Sequence, residues 1–282
     1  MAGVPLQRPE SFGTRNELTD AEFTERQAQA ARVVAQDNAD FDFENPSVPF
    51  GQVGGGQSPP QHWFERGETQ RQVSLIVDPP NGRLPALTTA AQQREADRRA
   101  NSPTEAASYT DLSLYERCIT RGLIGSVMPG GYNNGNQIFQ APGYVTIVNE
   151  MIHESRIVPL DGRPHLSPAI RSHLGDSRGR WEGDTLVVET KNVADRIGLG
   201  MNSTGASAVL TITERFTRTS DTTLRYLVTV DDAMTWTAPF TMQFTLERDD
   251  DYGMFEYACH EGNHALPNIL SGARATERDN GR

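Results

Sequence analysis

The chain has 282 residues, enough for one large core or two modest ones, but its hydrophobic fraction is only 36%. The formal net charge is −11 and no dense Lys/Arg patch occurs, which argues against nucleic acid as a partner. No apolar run approaches the ~18 residues a spanning helix needs, so no membrane span is expected.

From the N-terminus, Pro5 and Pro9 punctuate an extended opening. Thr19 with Glu22 three residues later has the spacing of a capping box, and the Ala/Gln/Glu/Arg-rich stretch after it predicts a helix over 20–36. A long Gly/Pro-rich loop over 37–60 follows, with His62-Trp63-Phe64 as its anchor onto a core. Residues 1–72 thus read as an arm around a β domain spanning 73–282, with a helical insertion at about 86–120. In that domain a strand is predicted at 73–77, a polar helix from Thr88 or Thr89 to about Ala100, and a third helix over 110–119.

From Ile138 the chain becomes a series of short strands: 138–140, 144–151, 153–159, 185–190, 208–217, 224–230, 235–247 and 254–258. The turn-rich string Gly179–Thr190, GRWEGDTLVVET, organises the series, with Trp181 read as an anchor. Leu210, Ile212, Glu214 and Phe216 alternate against Thr211, Thr213 and Arg215, the period of two of a half-buried strand. Several short strands with polar turns predict a mainly β barrel or sandwich, closed by a short helix over 268–277.

Six strings are familiar: PLQRP, SLIVDPPNGRLP, LYERCITRG, GYVTIVNEMIHESRIVPLDGRPH, DSRGRWEGDTLVVET and FEYACHEGNH. Through them nearly the whole chain resembles a broad family of bacterial proteins abundant in soil phyla. The resemblance implies a lipocalin-like antiparallel β-barrel with an N-terminal helical arm. It also implies a leader upstream of Met1, hence a periplasmic or secreted protein; with Met1 as the native start a cytoplasmic one is expected. It implies no particular activity, and the family usually carries tyrosine where His264 stands here.

Cys118 and Cys259 are either two buried thiols or one disulfide, and the latter requires an oxidising compartment. His260-Glu261-Gly262-Asn263-His264 satisfies H-E-x-x-H, in which helical spacing brings two imidazoles to one metal. Gly262, Asn263 and Pro267 oppose a helix there, so His260 and His264 are only an alternative metal pair for a metal-dependent hydrolase. The main candidates are titratable groups at strand ends: His153 and His260 as proton carriers, with Glu150, Glu256 or Glu261 as carboxylate partners. Tyr132, Asn134, Arg156, Asp161 and Trp236 are the substrate-binding candidates. No dinucleotide or phosphate-loop fingerprint occurs, so no cofactor is called for. The expected function is a small-molecule lyase, isomerase or hydrolase working by acid–base chemistry in a β-barrel pocket, with a lipocalin-type binder as the alternative.

Overall fold

The computed structural model describes residues 4–37, 65, 67–103, 106–194 and 207–279. The predicted loop beyond Asp37 and its anchor at His62-Trp63-Phe64 lie outside the described residues. The chain divides into two compact units. One comprises 1–83 with 129–134; the other comprises 84–128 with 135–282.

In the first unit helix α1 (Asp20–Asp37) begins as its sequence predicts. Glu22 accepts a bond from the Thr19 backbone N–H at 2.8 Å, and Thr19 Oγ1 accepts from the Glu22 N–H at 3.4 Å, the two halves of a capping box. Strand β1 is only Ile76–Asp78, shorter than the predicted 73–77. The amides of Leu75 and Ile76 donate to the carbonyls of Pro5 and Leu6, so the opening segment lies extended beside them. Buried Arg8 donates to Pro80 O at 2.6 Å, and a Cβ on Gly82 would sit 2.7 Å from the Arg8 side chain. Gly82 has φ +65, so glycine there satisfies both a left-handed turn and a close approach.

The second unit holds the remaining strands in two antiparallel groups. β2 (Asn136–Ala141), β3 (Tyr144–Asn149) and β4 (Ser155–Pro159) form a three-stranded sheet. β5 (Asp176–Glu182), β6 (Thr185–Lys191), β7 (Thr211–Arg218), β8 (Thr223–Asp231) and β9 (Phe240–Glu247) form a meander in which each strand pairs with the next. Gly143 and Gly183, both at positive φ, turn the β2–β3 and β5–β6 hairpins.

The predicted alternation is realised in the meander. Ile212, Glu214 and Phe216 on β7 are buried, and so are their neighbours Tyr226, Val228 and Val230 on β8 and Phe240, Met242 and Phe244 on β9. Phe216 stacks on Tyr226 with ring centroids 4.4 Å apart. In the smaller sheet Val145, Ile147, Arg156 and Val158 are the buried set. Arg156 reaches Glu214, so these two inner faces meet. β4 also lies against β5, where a Cβ on Gly179 would come within 2.6 Å of Leu160 and 2.8 Å of Val158. The fold is therefore mainly antiparallel β in two sheets, and no closed barrel is formed among the described residues.

Several predicted elements change form. Residues 110–119 make a short 3-10 turn, Tyr109–Asp111, and further turns instead of a helix. Ser108 with Asp111, and Ser113 with Glu116, each close a local cap, and Cys118 at φ +55 breaks any continuation. The predicted strand 235–247 starts only at Phe240, because Asp232 accepts from Met234 N and Thr235 Oγ1 and holds a turn. Trp181 is 47% exposed, past the end of the buried core, and does not anchor it. Residues 254–258 make no ladder. α2 (Thr89–Asn101) is capped by Thr88 as predicted, and α3 (Ala265–Asp279) closes the fold.

Candidate active site

A cleft of about 700 Å³ opens in the second unit. That volume lies within the ~300–1,000 Å³ of small-molecule sites. Its walls come from four parts of the chain: Cys118 and Ile119, residues 152–157, residues 172–177, and His260. Three histidines line it, His153, His173 and His260, so it gathers the two imidazoles singled out in the sequence and adds a third. Aliphatic wall is supplied by Ile119, Ile152, Ile157 and Leu174.

His153 was predicted to lie in a strand; it sits instead in the 3-10 turn Met151–His153 between β3 and β4. Ile152 has φ +59 and His153 φ +45. A β-branched residue in the left-handed region is a genuine outlier, and such strain persists only where the surroundings enforce it. Among the described residues five non-glycine positions have positive φ. Two are Asn133 and Asn192, a residue type that tolerates it; the other three, Cys118, Ile152 and His153, all line the cleft.

The imidazole of His153 is oriented by one contact, Nδ1 to the backbone carbonyl of Tyr257 at 3.2 Å. A carbonyl can only accept, so Nδ1 carries the proton and the neutral ring keeps its free lone pair on Nε2. The carbonyl comes from residues 252–258, which form neither helix nor strand. That segment is fastened nearby by the disulfide Cys118–Cys259, which makes the bonded one of the two cysteine alternatives the correct one.

The carboxylates near the cleft are braced. Glu154, 8% exposed, accepts from Thr120 Oγ1, from Ser126 Oγ at 2.7 Å and from the Arg121 amide at 3.4 Å, tying the 120–126 loop to β4. Asp176 is raised by burial, but the Leu166 amide, His165 and Arg178 outweigh that and hold it below the usual carboxylate range. His165 lies between two acids, Nδ1 to Asp176 at 2.9 Å and Nε2 to Glu189 at 3.0 Å. Glu189 is itself lowered, first by Lys191.

Under the cleft Arg156 donates from both terminal nitrogens to Glu214, at 2.6 and 2.7 Å, and Tyr226 donates to the same carboxylate at 2.5 Å. Burial lowers the Arg156 pKa, but the Glu214 charge more than offsets it and the net shift is upward. Burial first, then Glu214, pushes the Tyr226 phenol well above its ordinary value. Arg156 therefore lines the cleft as a neutralised part of its floor, not as a free clamp.

The other candidates fall elsewhere. Glu150, 2% exposed, accepts from Tyr252 OH and the Phe255 amide and braces the 252–258 segment without lining the cleft. Glu256 and Glu261 are exposed and outside its walls. Asp161 is exposed and held at about 2 by the Arg163 side chain. Trp236 is 5% exposed, edge-on to Phe240 in the core. Tyr132 and Asn134 belong to the first unit, where Asn134 bonds Glu65. His260 and His264 lie in turn and coil ahead of α3, so the helical spacing that makes H-E-x-x-H a metal pair is not present. Among the described residues no group of three His, Cys, Asp or Glu is arranged to hold a metal ion.

Sequence reasoning missed His173, the engagement of Arg156 by Glu214, and the role of Tyr226. A histidine within a Gly/Pro/His segment was the only signal for the first. Comparison of the chain with protein-family models, with curated proteins and with solved structures found no match.

Proposed function

We propose that the cleft binds a small molecule and transforms it by acid–base chemistry, with His153 as general base through Nε2 and His260 as a second proton carrier. The observation that carries this reading is the Tyr257 carbonyl at 3.2 Å from His153 Nδ1. It selects the tautomer a base needs, on a backbone that only a demanding site would keep at φ +59 and +45. Proton abstraction from a bound substrate by Nε2, with return of the proton from His260, suits elimination, isomerisation or hydrolysis. No redox cofactor enters these steps.

The β architecture is read here as a lipocalin-like barrel, supported by the shared Arg156–Glu214 core and the approach of β4 to β5. The Cys118–Cys259 bond supports a periplasmic or secreted location, where disulfides persist. Membership of the soil-bacterial family rests on the sequence strings, among them Asp176–Thr190, which folds as the β5–β6 hairpin. A plain ligand carrier would have little use for a base-selecting contact in a strained turn.

The test is a screen of elimination, isomerisation and hydrolysis substrates against the wild-type chain, followed by His153→Gln and His260→Gln on any substrate turned over. Loss of ~10²–10⁴-fold in kcat for His153→Gln is expected for a general base. If both substitutions leave turnover intact, the reading is wrong.

A further inference from the structure

We infer that the Cys118–Cys259 disulfide is the positioning element of this site, so that His153 is set as a base only in the oxidised chain. The inference rests on the function proposed above, and it goes beyond it by naming what assembles the site.

The two cysteines are 141 residues apart in sequence, and the bond holds their Cα atoms 5.7 Å apart. Cys118 is 4% exposed and lines the cleft; Cys259 is half-buried and directly precedes His260, which also lines it. Two residues before Cys259 lies the Tyr257 carbonyl that receives His153 Nδ1. One covalent bond thus stands between the cleft wall at 118–119 and a segment supplying both a histidine and the contact that selects the tautomer of another.

Residues 252–258 belong to no strand or helix, and 259–262 form a turn. Among the described residues the ties of this segment include Glu150, which accepts from the Tyr252 hydroxyl and the Phe255 amide seven and four residues before the cysteine, and Asn263 after it, which donates to the Glu116 carbonyl and to Cys118 Sγ. Tyr257 OH meets Tyr115 OH only at 3.5 Å. The meander core is built from β5 to β9 and the Arg156–Glu214–Tyr226 cluster, none of which includes either cysteine. Few buried contacts and no ladder are the marks of a segment that opens locally while the rest stays folded.

The chemistry is a thiol–disulfide exchange with a dithiol reductant. One thiolate of the dithiol attacks a disulfide sulfur, the protein S–S bond breaks, and the second thiol resolves the mixed disulfide. The reductant loses two electrons and two protons as its own disulfide closes; the protein gains both as Cys118 and Cys259 thiols. The covalent link from Cys118 to the 257–260 segment is then gone, the carbonyl moves off Nδ1, and the tautomer preference of His153 lapses.

Nitrogen-15 NMR of the full chain reads this directly, because protonated and unprotonated ring nitrogens have separate shifts. In the oxidised protein His153 is expected to show protonated Nδ1. After reduction by a dithiol, with two thiols per chain confirmed by titration, the signal is expected to move to the mixed-tautomer position while amide signals of β7 and β8 stay in place. Turnover should fall ~10–100-fold, the range seen when an orienting partner is lost. The Cys118→Ser/Cys259→Ser chain should match the reduced protein and ignore the dithiol. Asn263→Ala, which loosens the same segment with the disulfide intact, should leave the His153 signal unmoved.

An unchanged His153 signal in the fully reduced chain overturns the inference. So does collapse of the β7 and β8 amide signals on reduction, which would make the bond a general stabiliser. The NMR result stands even if no substrate is ever turned over, so failure of the functional proposal is read separately.

Discussion

Replacing Arg156 by methionine is the sharpest test of how the two sheets are joined. Glu214 is fully buried, and three of its bonds come from two side chains, Arg156 and Tyr226. Removing the guanidinium leaves a carboxylate between two apolar faces with the Tyr226 phenol as its remaining side-chain donor among the described residues. Breaking one side of a buried ion pair costs about 3–5 kcal/mol, whereas exchanging the whole pair for apolar groups of similar volume is close to neutral. Arg156→Met alone should therefore lose about 3–5 kcal/mol, and Arg156→Met/Glu214→Leu should recover most of it. In urea, with an m-value of about 3 kcal/mol/M, the single variant shifts the midpoint down by at least ~1 M. Equilibrium urea unfolding followed by tryptophan fluorescence, on the oxidised chain, measures both. Additive losses in the double variant, or a single-variant loss under ~1 kcal/mol, would refute the idea that this pair is desolvated and coupled.

Two further outcomes follow from the same packing. Gly179→Ala places a methyl 2.6 Å from Leu160 and 2.8 Å from Val158, so β4 and β5 must part; a loss of about 1–3 kcal/mol is expected in the same unfolding assay, and a neutral result would mean the two strands are not in close contact. Tyr226 carries a phenol whose folded pKa is raised by burial, so the native chain holds a proton that the unfolded chain releases above pH ~10. Its contribution is fully present below that pH and is lost as pH rises further, by about 1.4 kcal/mol per unit; Tyr226→Phe should flatten that alkaline decline in stability measured from pH 9 to 11.

What could be read from the residues alone was what local geometry controls. The Thr19–Glu22 cap, the Thr88 cap and the alternation through Leu210–Phe216 depend on neighbours within a few positions, and all three are found. Where local preference competed with distant partners the reading failed. The 110–119 helix gave way to serine caps and a cysteine pulled to its partner, and 254–258 became a coil adjoining the disulfide-bonded Cys259.

The site was half legible. His153 and His260 stood out as titratable groups at strand ends, but they are 107 positions apart, and only the disulfide and the turn after β3 bring both to one cleft. Glu214 was visible as a carboxylate within a strand; that it points inward and meets Arg156, 58 positions earlier, was settled by how two sheets face one another. Alternation tells which residues share a face, since successive side chains of a strand project to opposite sides. Which face is covered, and by what, depends on contacts between segments that the chain order does not place together. Composition and periodicity therefore determined a β-rich chain with capped helices, and the tertiary structure decided which of its polar residues became core and which became a cleft.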